Sequence, residues 1–230
     1  MLQPLLHYLG LSLILLAGAN PVDPAQILPG KEAKKESVKW VEEITALYRN
    51  ATSVQMDIEK NVAYVFLDQK QASKGKLLLQ QKKFRMELKG DEDSLVVVND
   101  GKVRVFTYFP KDSGLKTQVL ETSFEKKGHV QGLFSALFSG EGFATQFVIE
   151  KSEQQNQQIQ LTLKPRNEAP EISKILLTAS ATSYHIEEIS IWDNLQNQTK
   201  YTMKKPVFDK SIEAKLFDVP VPKDAVLEKF

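Results

Sequence analysis

Residue types able to do chemistry are few in this chain, and their spacing suits little of it. There are three histidines, His7, His129 and His185, and no cysteine. Without cysteine there are no disulfides, thiolate zinc sites, iron–sulfur clusters or thiol nucleophile. His185 opens a strand in Tyr184-His185-Ile186 and reads as a surface strand residue rather than a base, because partners for proton transfer are sparse around it. No nucleophile elbow, Walker loop, dinucleotide fingerprint or H-E-x-x-H motif occurs. Asp91, Glu92 and Asp93 read as a solvated acidic turn. Asn50-Ala51-Thr52 and Asn197-Gln198-Thr199 match the N-glycosylation pattern, which matters only on a eukaryotic secretory route. Thirty Lys and Arg against 29 Asp and Glu give a formal charge of +1, far from the basic balance of a nucleic-acid binder. The chemistry on offer is binding, with no metal, no cofactor and no covalent catalysis expected.

The elements that would position a binding site are legible in the hydrophobic pattern. Leu9 to Ala17 is an almost unbroken apolar run followed by Ala17-Gly18-Ala19 and then Pro21 and Pro24. A run this short, ending in small residues, reads as a secretory signal peptide over 1–19, cleaved after Ala19. The exported chain is then expected in an oxidising compartment such as a periplasm. Residues 20–35 read as a flexible lead-in and 36–230 as the folded domain. Ser37 can cap a helix running to about Asn50, with Trp40, Val41, Ile44, Leu47 and Tyr48 on one stripe.

From Ser53 the apolar period changes to two. Val54, Met56 and Ile58 alternate with polar residues, as do Phe84, Met86 and Leu88, then Ile159, Leu161 and Leu163, then Ile189 and Ile191. Such alternation marks antiparallel strands with one wet and one apolar face. Asp100-Gly101 between two apolar runs is a hairpin signal. About nine to eleven strands at short spacing are expected, forming a large meander. The Gln-rich stretch from Glu153 to Gln158 is a polar turn. Between glycines, Leu133, Phe134, Leu137 and Phe138 form the apolar face of a short helix, which either plugs the open end of a barrel or swings as a lid.

Several pieces of the chain, in order, resemble the periplasmic outer-membrane lipoprotein carrier family, LolA. They are Gly75-Lys76-Leu77 leading to Phe84-Arg85, then Asn99-Asp100-Gly101-Lys102 ending at Tyr108-Phe109-Pro110, and the apolar helix around Leu133 to Phe138. Leu161 to Pro165, Ile186 to Trp192 and the closing Leu216-Phe217-Asp218-Val219-Pro220 follow. The resemblance implies a mainly β fold: an incomplete, open antiparallel barrel with an N-terminal helix and a short lid helix over its apolar concave face. It implies a monomeric periplasmic carrier that takes acylated lipoproteins from an inner-membrane LolCDE-type ABC transporter to the outer membrane, where a LolB-type receptor can accept them. Phe84, Met86 and Val97 match family positions in the cavity wall, and Leu133 to Phe138 matches the lid. Where family members carry an arginine that bonds the closed lid, this chain has Gln80, a weaker, uncharged donor.

On that basis the acyl-chain lining is expected to be Val54, Met56, Ile58, Phe84, Met86, Val97, Leu161, Leu163, Ile189 and Ile191. Two other readings differ in class. A relative on the same fold could sense lipoproteins or lipids and regulate by binding another protein. A hydrolase would need a polar cluster among the inward positions, and those assigned are apolar.

Overall fold

The computed structural model describes residues 35–123, 146–166 and 172–229. The leader over 1–19, nearly all of the lead-in over 20–35, and the lid residues Leu133, Phe134, Leu137 and Phe138 lie outside them. The described chain has one helix, α1 (Lys35–Asn50), then β1 (Ser53–Tyr64), β2 (Gln69–Gln80), β3 (Lys83–Gly90), β4 (Asp93–Asn99), β5 (Lys102–Tyr108) and β6 (Gln118–Ser123). After residues 124–145 come β7 (Phe147–Gln155), β8 (Gln158–Pro165), β9 (Lys174–Ser180), β10 (Ile186–Trp192), β11 (Gln198–Phe208) and β12 (Val226–Lys229). The helix begins at Lys35, so Ser37 is not its cap but a buried residue of its first turn.

The twelve strands form a single sheet in the order β12-β6-β5-β4-β3-β2-β1-β11-β10-β9-β8-β7. Its two edges, β12 and β7, do not pair, so the barrel is open, as expected. The count exceeds the expected range by one strand, β12, whose pairing with β6 is parallel. Among the described residues, two antiparallel meanders, β1–β6 and β7–β11, are hydrogen-bonded to each other only where β1 pairs with β11. The hairpins use the turn chemistry their sequences offer. Asp100 and Gly101 both have positive φ, and so do Asn156 and Gln157 in the Gln-rich turn, as tight two-residue hairpins require.

Most of the core lies on the face that α1 covers, here called the inner face. Ile44 and Tyr48 of the helix join one cluster with residues of β1–β5 and β7–β11. The Ile186 backbone N–H donates to the Tyr48 hydroxyl oxygen at 2.8 Å, at the point where the β9–β10 register shifts. Burial pushes the Tyr48 phenol far up, outweighing the downward pull of that bond on its oxygen. The outer face is apolar only under the C-terminal segment. Phe217 packs with Leu78 and Ile212, and Val219, Val221 and Ala225 pack on Leu95, Val97, Phe106 and Val119. Arg85 and Arg104 donate to the carbonyls of Leu216 and Val219 at 2.9 and 3.1 Å. The tail thus runs as a strap from β11 across the outer face to β6.

Gly75 shows how tightly the strands meet. It sits between Ile58 and Leu88 in register, and a Cβ there would lie 1.8 Å from the Glu87 carbonyl oxygen. Because the obstacle is backbone, strands β2 and β3 would have to part. Gly75→Ala is expected to destabilise the protein by roughly 2–4 kcal/mol, read from urea unfolding. The strap carries a pH signature. Glu121 accepts from Arg104 Nε at 2.7 Å and pairs with Lys229 of β12, and the Arg104 hydrogen bond holds its carboxyl below the ordinary 4.5. Its contribution is therefore complete above that ordinary value and is lost as pH falls through the lower folded value. Urea midpoints should show Glu121→Gln less stable than the parent at neutral pH, with the difference closing in acid.

Candidate functional site

The inner face is the candidate site. On β1 the alternation turns Val54, Met56 and Ile58 inward, and the register carries rows of apolar side chains across the sheet. Met56 stands opposite Leu77, Leu77 opposite Met86, Met86 opposite Val96 and Val96 opposite Val105. On the other meander Leu161 faces Leu177, Leu177 faces Ile189 and Ile189 faces Tyr201. Direct antiparallel partners share a face, so each row is a continuous apolar strip.

Nine of the ten residues expected to line the site fall in this one cluster: Val54, Met56, Ile58, Met86, Leu161, Leu163, Ile189 and Ile191 are buried in it, and Phe84 is half-buried against it. Val97 does not join them. It packs on the outer face under the C-terminal strap, with Leu95, Phe106 and Val119, and its neighbours Val96 and Val98 take the inner positions. The reason is that β4 is buried on both faces. Its apolar run has no alternation to read, and only the pairing of Phe84 with Val98 and Met86 with Val96 sets the register. Gln80 ends β2 beside a two-residue turn, opposite Ser53 and Lys83. Alternation puts it on the side of Leu78, and the lid it was expected to meet lies outside the described residues.

One charged residue interrupts the apolar face. Lys60 follows Val54, Met56 and Ile58 on β1, facing inward, with Tyr201 and Ser73 as its cross-strand partners. Its side chain is only 7% exposed, and its ammonium donates to Glu92 Oε2 at 2.8 Å. A buried cation is tolerable only when paired. Burial pushes the Lys60 ammonium down, but attraction from Tyr201 and from Glu92, with the Glu92 hydrogen bond, outweighs it and holds the group above the ordinary lysine value. Burial also pushes the Tyr201 phenol up, so near neutral pH the operative anion is Glu92.

The loop bearing Glu92 is built to reach this point. Gly90 turns it at φ +152°, where a Cβ would come within 2.4 Å of the Ala72 carbonyl oxygen. Asp91 exchanges two bonds with the Ala72 backbone, and Ser73 Oγ bonds both the N–H and the carbonyl of Glu92. Asp93 accepts from the Gly90 N–H and from Lys89. Within the acidic turn expected to be solvated, Asp91 is indeed exposed, while Glu92 is drawn in toward Lys60. The available signal was Lys60 itself, a charge at an inward position of an otherwise apolar alternation.

His185 is half-buried in the β9–β10 turn, its Nδ1 in hydrogen-bond contact with Ser183 Oγ and its Nε2 3.7 Å from Glu187 Oε1. Glu187 is committed to Gln158 at 2.6 Å, and the trio stands on an open turn away from the inner face. No group of three or more metal-ligating side chains occurs among the described residues. No helix among them is long and apolar enough to cross a membrane.

A family model described as outer membrane lipoprotein carrier protein LolA matches residues 49–220. The chain belongs to the LolA family. No curated protein matches the sequence. Among solved structures, the chain is similar to a LolA superfamily protein from Nitrosomonas europaea at 9% identity and a TM-score of 0.42, covering 78% of this chain and 96% of that one. An uncharacterised conserved protein from Thermus thermophilus is 10% identical with a TM-score of 0.49, covering 85% of this chain and all of that one. The MucA/MucB complex of Pseudomonas aeruginosa contains a chain 8% identical with a TM-score of 0.41, of which this LolA-family chain spans 61%.

In this LolA-family barrel the Lys60–Glu92 pair is the polar end of an apolar face, and its removal is testable. Glu92→Gln should cost about 2–3 kcal/mol, since it strands a buried cation whose partner is partly solvated. The double variant Lys60→Met/Glu92→Gln should recover most of that loss in urea unfolding.

Proposed function

We propose that this protein is a periplasmic carrier of acylated lipoproteins, holding their acyl chains against the inner face of the open barrel between the inner and outer membranes. The observation that carries the reading is the extent and the apolar character of that face. Ten strands contribute buried residues to the inner cluster. At about 4.8 Å per strand they would span roughly 48 Å before curling. A continuous apolar face of this extent suits a ligand of long, flexible hydrocarbon.

Its lining suits varied chains. Beyond Met1 the sequence holds three methionines, Met56, Met86 and Met203, and all three lie in the inner cluster. Thioether side chains repack around differently shaped ligands at little cost. Each buried CH₂ contributes about 0.8 kcal/mol, so several long chains would approach the practical affinity ceiling of about −20 kcal/mol. A carrier must release its load, which requires that the unloaded face be covered by the protein's own apolar groups, so that the ligand exchanges one apolar contact for another. The handover partners on this reading are a LolCDE-type transporter and a LolB-type receptor. The protein's work is binding and release, without covalent chemistry.

The test is uptake of a synthetic triacylated lipopeptide, read by native mass spectrometry. Wild type should acquire the lipopeptide mass. Phe84→Glu, which places a charge at the half-buried margin of the inner face, should lower the bound fraction about tenfold or more. Val97→Ala on the outer face should leave uptake unchanged while lowering stability. Equal uptake by Phe84→Glu and wild type, or no uptake by wild type, would remove the inner face as the acyl site.

A further inference from the structure

Nine large apolar residues are exposed among the described residues, and four of them sit together at one end of the sheet. Val65, Phe66 and Leu67, at 58, 78 and 62% exposure, make up the β1–β2 turn together with the exposed Asp68, and Leu195, at 58%, tips the neighbouring β10–β11 turn. Exposed apolar residues scattered singly need no explanation, but a contiguous projecting group does. The two tips are tied together. The Val65 N–H donates to Asn197 Oδ1 at 3.0 Å, and the Asn197 backbone and side-chain N–H groups donate to the Asp193 carboxylate at 2.8 Å each. The asparagine of a glycosylation-like motif is therefore the bridge that holds the two apolar turns side by side.

Directly below the tip the surface changes character. Register places Lys70 opposite Ala63 and Lys200 opposite Asn61, and both lysines line an open cleft of about 170 Å³ with Asn61, Gln71 and Gln198. Asp91 also borders it, with one carboxylate oxygen engaged by the Ala72 N–H. Lys200 bonds Glu188 at 2.6 Å, whereas Lys70 is in no ion pair among the described residues. Lys200, opposite Asn61, lies five residues from Phe66 or about 16 Å along the strands, whereas Lys70 lies four residues on, opposite Ala63, or about 10 Å. The latter is close to the depth of roughly 5–10 Å to which interfacial elements enter a bilayer.

We propose that this end of the barrel docks on a phospholipid bilayer, with Val65, Phe66, Leu67 and Leu195 entering the acyl boundary and Lys70 and Lys200 meeting anionic headgroups. The tip is convex, and three consecutive side chains fan outward from one turn. A rigid protein surface would meet only part of such a fan, while a fluid acyl layer surrounds all of it. This inference does not rest on acyl chains binding the inner face, and vesicles free of lipoprotein test it separately.

The experiment is vesicle flotation of the chain from Asn20, which retains every described element and lacks the apolar leader. Vesicles are equal parts phosphatidylethanolamine and phosphatidylglycerol, or phosphatidylcholine alone. Wild type should float with the anionic vesicles, and Phe66→Glu/Leu67→Glu should bind about tenfold or more weakly. Lys70→Glu should weaken binding to anionic vesicles only, as should high salt. Val207→Glu, an exposed apolar position at the opposite end of β11, should float like wild type. Phe66→Trp should show blue-shifted emission on vesicles, quenched by lipids brominated near the headgroup. Failure of wild type to float with either vesicle, wild-type flotation of the tip variant, or an equal loss in Val207→Glu would overturn the proposal.

Discussion

The pairing of β1 with β11 is the constraint on which the rest of this structure depends. Among the described residues it is the sole ladder joining the two meanders, and its partners are about 140 residues apart in sequence. Without it there would be two small curled sheets, each with its apolar face half uncovered. Around the seam the contacts are mostly polar. Thr52 bonds Asp209, Ser53 bonds Lys210, and Glu59 and Asp57 pair with Lys204 and Lys205. Exposed ion pairs of this kind are individually weak. The stability of the seam comes instead from what it closes, a single inner cluster shared by ten strands and α1.

The same seam explains the placement of the buried charge. Lys60 lies between Tyr201 of β11 and Ser73 of β2, so it becomes an inner-face residue with buried neighbours only when the two meanders join. Its partner Glu92 arrives from the β3–β4 turn, held by Ser73 and Asp91. A buried ion pair is a weak source of net stability, but it penalises any register that separates its members. Here it ties β1, β2 and the β3–β4 turn together at the end of the sheet that also bears the Val65–Leu67 tip.

An open barrel faces a difficulty that closed ones avoid: two edges and a large apolar concavity. The C-terminal strap handles one edge. It carries Phe217 and Val219 across the outer face and lays β12 along β6, anchored by Arg85, Arg104 and Glu121. The apolar concavity suits the lipid binding proposed for it, and the apolar tip beside a lysine-lined cleft suits the proposed docking on a bilayer.

Much of this was readable without coordinates, because strand alternation and turn chemistry are local. The period-two runs at Val54–Ile58, Phe84–Leu88, Ile159–Leu163 and Ile189–Ile191 declared their inward residues, and Asp100-Gly101 declared its hairpin through residues that tolerate positive φ. Other features were decided only in the folded chain. The run Leu95–Val98 is apolar at every position, so the pairing with β3, and not the pattern, sent Val97 outward and Val96 and Val98 inward. The acidic turn became the partner of Lys60 because a cation 32 residues away in sequence was buried beside it. Asn197 became a bridge between two hairpins because β1 and β11 are neighbours. Local sequence sets which faces a strand can present, while register and the company of distant strands set which face is buried and which charge must be answered there.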